Sequence, residues 1–198
     1  MKQMLFRYYQ QELSAWILFT PLVASFFAIP LLFERAELAS LFILSITISV
    51  LCSLYLDLRE RQLIMTSLFP ISKKTFFFVD ISFIGRYTLY YILYTMVVTT
   101  IIQTLLEQQL ILPSAKQILL SIVISLLIIS IFLLLRRIKY GYYVNLSMFF
   151  IPLAFTQLIS LIVRLSTFHS ILLFFSSLVL IIIAAWITYV REHRRDIT

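Results

Sequence analysis

Residues 57–80 read DLRERQLIMTSLFPISKKTFFFVD, the longest polar interruption in a chain otherwise built of apolar runs. Within it, Ile64, Met65, Leu68 and Phe69 stand at i, i+1, i+4 and i+5 and share one helical face, while Glu60, Arg61, Gln62, Thr66 and Ser67 fall mostly elsewhere. This spacing predicts a short amphipathic helix. Pro70 has no N–H and pushes the residue before it out of the α region, so the helix must end there. Ser72 can cap the free amides of a new helix that begins at Lys73, with Ile71 and Phe76 placed as a hydrophobic staple. Helix, sharp turn, helix is therefore the expected form of this basic loop, with membrane spans on either side.

Composition supports that frame. Of 198 residues 62% are hydrophobic, 13% are charged and two are glycine, with a mean hydropathy of +1.01. A soluble domain of this size cannot hide so much apolar surface, whereas apolar runs of about 20 residues suit helices across a hydrocarbon layer of about 30 Å. A transmembrane barrel needs alternating strands and frequent turns, which these runs lack. The expected fold class is all-α: a polytopic membrane protein of about six transmembrane helices in a single transmembrane domain over residues 1–198.

Taken in order, residues 1–14 carry Met1, Met4, Leu5, Tyr8 and Tyr9 on one face and predict a helix lying in the interface. The spans are expected at about Trp16 to Phe33, with kinks at Pro21 and Pro30, then Leu38 to Leu56, Ile84 to Leu106, Gln117 to Leu135, Val144 to Val163 and Ile171 to Tyr189. The first run is too long for a signal-peptide core and lacks a small-residue cleavage site, so it is expected to remain. Cys52 lies within an apolar run and reads as a packing residue.

The net charge of +7 reports topology rather than nucleic-acid binding, because the cations sit in short clusters between spans. Thirteen of the sixteen Lys and Arg fall on the side of the N-terminus, the region Asp57 to Arg86, Arg136 to Lys139 and the tail; Arg35, Lys116 and Arg164 fall on the other. The positive-inside bias then puts both termini and the 57–80 loop in the cytoplasm of a cell whose plasma or inner membrane holds the chain.

The inventory for catalysis is poor. His169 and His193 lie outside the predicted spans, no phosphate-binding GxxxxGK[ST] loop exists, and no catalytic residues, metal ligands or bound cofactors are assigned. Tyr87, Tyr90, Tyr91, Tyr94 and Thr95 on the third span, with Gln157 on the fifth, could line a pathway for an amphipathic substrate. Their default explanation is interfacial belt and helix packing. Arg86, near the start of the third span, reads as a snorkelling side chain.

The 57–80 stretch resembles the loop between the second and third spans of ABC-2 type exporter permeases. There an acidic and basic pair, a short amphipathic helix and a Leu-Pro-x-Ser-basic turn recur. The matching residues are Glu60 and Arg61, then Leu68, Phe69, Pro70, Ile71, Ser72, Lys73 and Lys74; Phe69 is inserted between leucine and proline, and Asp80 stands where lysine is frequent. The resemblance implies a permease subunit forming the pathway for an amphipathic or hydrophobic substrate such as a peptide, lipid or antibiotic. Its implied partners are a second permease chain and two ATP-binding subunits, which carry the ATP and Mg. Glu60, Arg61, Ile64, Met65, Leu68, Phe69, Pro70 and Ser72 would then be the coupling element that docks on an ATPase. The alternatives are a haem-exporter-like permease, or a membrane scaffold or sensor subunit that transports nothing.

Overall fold

The computed structural model describes residues 2–66, 72–107, 112–135 and 159–194, and among these every regular element is a helix. The helices are α1 (Lys2–Phe27), α2 (Ile29–Glu34), α3 (Ala36–Thr66), α4 (Lys73–Glu107), α5 (Ala115–Leu135) and α6 (Thr167–Arg194). A further helical stretch occupies 159–164. Among the described residues four helices are long and apolar enough to cross a bilayer, over Glu37–Leu58, Lys74–Leu105, Ala115–Leu135 and Thr167–Val190. They correspond to the second, third, fourth and sixth expected spans and mark a helical membrane protein.

The remaining two expected spans differ. The run from Trp16 to Phe33 is not one helix: Pro30 stands at the start of α2, cannot donate into a continuing α1, and leaves Ala28 as a junction. The Ala28 amide closes α1 by bonding both the Ala24 carbonyl at 3.1 Å and the Ser25 carbonyl at 3.2 Å. The expected fifth span, Val144 to Val163, lies outside the described residues except for its end.

The N-terminal interfacial helix is also redrawn. Residues 2–14 are the first half of α1, which continues to Phe27 without a break. At Ser14 the hydroxyl donates within the helix to the Gln11 carbonyl at 2.9 Å. Tyr9, Leu13 and Ile17, at i, i+4 and i+8, are buried in the bundle, and Met4 stays exposed.

α3 is the central helix. It packs against α1, α2, α4 and α5, while α6 lies mainly on α5. Small residues let α1 and α3 approach closely, since Ala24, Ala28 and Ala39 are buried together with Ile43. Polar ties join the spans as well. The Gln117 amide donates to the Ser40 hydroxyl at 3.0 Å, joining α5 to α3, and the Thr188 hydroxyl donates to the Leu133 carbonyl at 3.2 Å, joining α6 to α5.

Candidate functional site

The polar stretch that organises the sequence forms, as far as it is described, the two arms of a helical hairpin. α3 runs through its apolar window, which ends at Leu58, and continues to Thr66. Asp57 to Thr66 is thus an extension of the second span, not a separate short helix, because Leu58 to Thr66 contains no proline or glycine to interrupt the backbone ladder. Glu60, Arg61, Ile64 and Met65 ride on that extension. Leu68, Phe69 and Pro70 lie outside the described residues.

The restart at Ser72 takes the form read from the sequence. The Thr75 amide donates to the Ser72 hydroxyl at 3.3 Å and to its carbonyl at 2.9 Å, and the Ser72 and Thr75 hydroxyls are 2.9 Å apart. A side-chain cap of this kind contributes about 1 kcal/mol to starting a helix. It fixes where α4 leaves the basic end of the bundle.

About two turns into α4, the chain buries a carboxylate. Asp80 is fully buried, and the hydroxyl of the equally buried Tyr55 on α3 donates to its Oδ1. Tyr9 of α1 packs its ring 4.9 Å from that of Tyr55. Phe83, one turn beyond Asp80, lies 5.4 Å from Tyr55, 5.8 Å from Tyr9 and 5.5 Å from Phe6. Phe132 of α5 closes the group at 6.1 Å from Tyr55. A buried ionisable group is costly unless hydrogen-bonded, so this cluster makes a specific arrangement of four helices cheaper than its alternatives. Chemically, one carboxylate and its phenol donor can hold helices in register. Among the described residues no three His, Cys, Asp or Glu side chains meet to hold a metal ion.

Sequence reasoning missed this cluster. Asp80 reads as the end of a polar loop, and only the position of α1 and α3 beside it reveals its burial. The available signal was that acid itself, since an ionisable residue within membrane depth marks a site worth examining. Arg86 sits outside the cluster, exposed, with its guanidinium 5.6 Å from the centre of the Phe6 ring. That cation–π contact adds another tie between α4 and α1.

The tyrosine stripe is divided between two environments. Tyr91 is buried, and its hydroxyl donates to the Ile17 carbonyl at 3.3 Å. That carbonyl is the one Pro21 cannot bond, four residues on, for lack of an N–H. Thr95 donates back to the Tyr91 carbonyl at 2.8 Å and faces the interior. Tyr94 pairs with Ser25 of α1 at 3.3 Å, Tyr87 packs at 4.7 Å on Phe83, and Tyr90 is exposed. Gln157 lies outside the described residues.

No protein-family model, characterised protein or solved structure is detectably similar to this chain.

Proposed function

We propose that this chain is the permease of an ABC-2 type exporter. With a second permease chain it would form a path for an amphipathic or hydrophobic substrate, driven by two separate ATP-hydrolysing subunits. The observation that carries this reading is the hairpin at the basic end. α3 passes its apolar window by about eight residues, or about 12 Å, before the chain turns back to the capped start of α4. A helical arm that leaves the bilayer and carries Glu60, Arg61, Ile64 and Met65 suits docking in the groove of a soluble partner. Tyr55 and Asp80 tie the two arms together at their base and against Tyr9 of α1, so a force on the arm is delivered to the spans. On this reading α1 with α2 makes the first of six spans, residues 144–163 make the fifth, and both termini are cytoplasmic.

The test is co-purification of the full chain with its ATPase. Leu68→Asp puts a charge into a desolvated contact and is expected to cost several kcal/mol, enough to separate the subunits, while membrane insertion survives. Arg61→Ala, at the rim, weakens association modestly and in a salt-dependent way. Full ATPase binding and stimulation by Leu68→Asp would overturn the proposal.

A further inference from the structure

Among the described residues, the end of the bundle opposite the hairpin carries the cations Arg35, Lys116 and Arg164. Topology requires only that these be few. The fold brings all three to one place. Arg35 and Arg164 line a cleft of about 260 Å³, together with Glu37 and Gln103, over an apolar wall made by Leu38 and Val163. Lys116 lies beside it, donating its ammonium to the Val163 carbonyl at 2.7 Å.

Each cation is held there by backbone. Arg35 is the single residue between α2 and α3, and its amide bonds the Leu31 carbonyl at 2.8 Å. Arg164 ends the helical stretch 159–164, whose terminal turn is closed by the Leu165 amide on the Ile162 carbonyl at 3.1 Å. Lys116 caps that same terminus. Both arginine side chains are exposed, and among the described residues neither guanidinium has an ion-pair partner. Among the described side chains lining the cleft, the carboxylate of Glu37 stands with the guanidinium groups of Arg35 and Arg164, and the Lys116 ammonium lies beside them.

We propose that this cleft binds an oxyanion, a phosphate or carboxylate group, with Arg35 and Arg164 as its direct ligands. A guanidinium presents paired N–H donors in the geometry that such oxygens accept, and two of them on separate elements can grip one group from two sides. Gln103 offers a neutral amide donor from α4. The two guanidinium groups suit an anionic lipid headgroup, and the apolar wall of Leu38 and Val163 lets its hydrocarbon chain follow the anion into the bilayer. The same chemistry fits free phosphate. This assignment is independent of any transport role, because every ligand belongs to this chain.

The full chain, purified without partners, is placed in phosphatidylcholine nanodiscs doped with either phosphatidic acid or diacylglycerol of the same acyl chains. These two lipids differ only in the phosphate. Native mass spectrometry then reads the lipid retained by the wild type, by the double variant Arg35→Gln/Arg164→Gln and by Lys74→Gln, an exposed cation at the other end. The wild type is expected to prefer phosphatidic acid, the double variant to lose that preference by at least about tenfold, and Lys74→Gln to keep it. Inorganic phosphate is titrated in parallel. Displacement of the lipid by phosphate identifies the free anion as a ligand, and retention of the lipid assigns the site to headgroups. Since both substituted positions are exposed, the double variant should elute like the wild type. Equal retention of the two lipids by the wild type, or an undiminished preference in the double variant, would refute the site.

Discussion

Tyr55→Phe removes one hydroxyl from the centre of the bundle and leaves the ring in place. Its neighbours, centred 4.9 Å away in Tyr9, 5.4 Å in Phe83 and 6.1 Å in Phe132, keep their packing. What is lost is the donor to Asp80. Neutral hydrogen bonds between membrane helices are worth about 0.6 kcal/mol on average, because the unfolded chain in the bilayer finds other partners. A bond to a charged acceptor is worth about 1.5–3 kcal/mol. Both groups are fully buried, so the solvent screening that weakens surface pairs does not apply. The expected loss for this fully buried pair therefore lies between these figures, about 1–2 kcal/mol. Phe83→Ala, which opens a cavity where these rings converge, should cost about 3–5 kcal/mol and calibrates the scale. The assay is reversible unfolding of the purified chain in mixed micelles as sodium dodecyl sulfate is raised. Tyr55→Phe, Asp80→Ala and the double variant complete a cycle whose coupling should exceed about 1 kcal/mol. A single-variant loss under about 0.5 kcal/mol, with no coupling, would refute the view that this bond fixes the helices.

A second cycle addresses the proline in α1. Tyr91→Phe should destabilise the chain by about 1 kcal/mol, because it strips the hydroxyl that donates to the Ile17 carbonyl. In a Pro21→Ala background, where a new amide can bond that carbonyl, the same change should be nearly neutral; equal costs in both backgrounds would show that the proline and the tyrosine are unrelated. Sidedness is checked with Ser72→Cys and Leu112→Cys, exposed positions on either side of α4, since the native Cys52 is buried and should stay unlabelled. In sealed vesicles an impermeant thiol reagent should reach one of the two and require permeabilisation to reach the other. Labelling of both from the same side would rule out α4 as a span.

The sequence alone determined the properties that depend on chain length and local chemistry. Apolar run length placed four spans, since a helix must satisfy its own backbone across about 30 Å of hydrocarbon. Ser72 announced the start of α4, because a hydroxyl beside free amides is a local device that needs no distant partner. Pro30 announced trouble in the first span for the same reason, though the sequence suggested a kink where the chain makes a junction at Ala28. Tertiary structure decided what faces what. In water, periodicity separates inside from outside; in lipid, a helix face toward the core and one toward acyl chains are both apolar, and the pattern carries little of that distinction. Hence Tyr9 and Asp80 read as interfacial and loop residues, although both are fully buried, and Tyr91 gave no hint that it serves a carbonyl left open by Pro21. The gathering of Arg35, Lys116 and Arg164 was equally hidden, because it depends on three helix ends meeting in space, and residues 35 to 164 hold no local signal of that meeting.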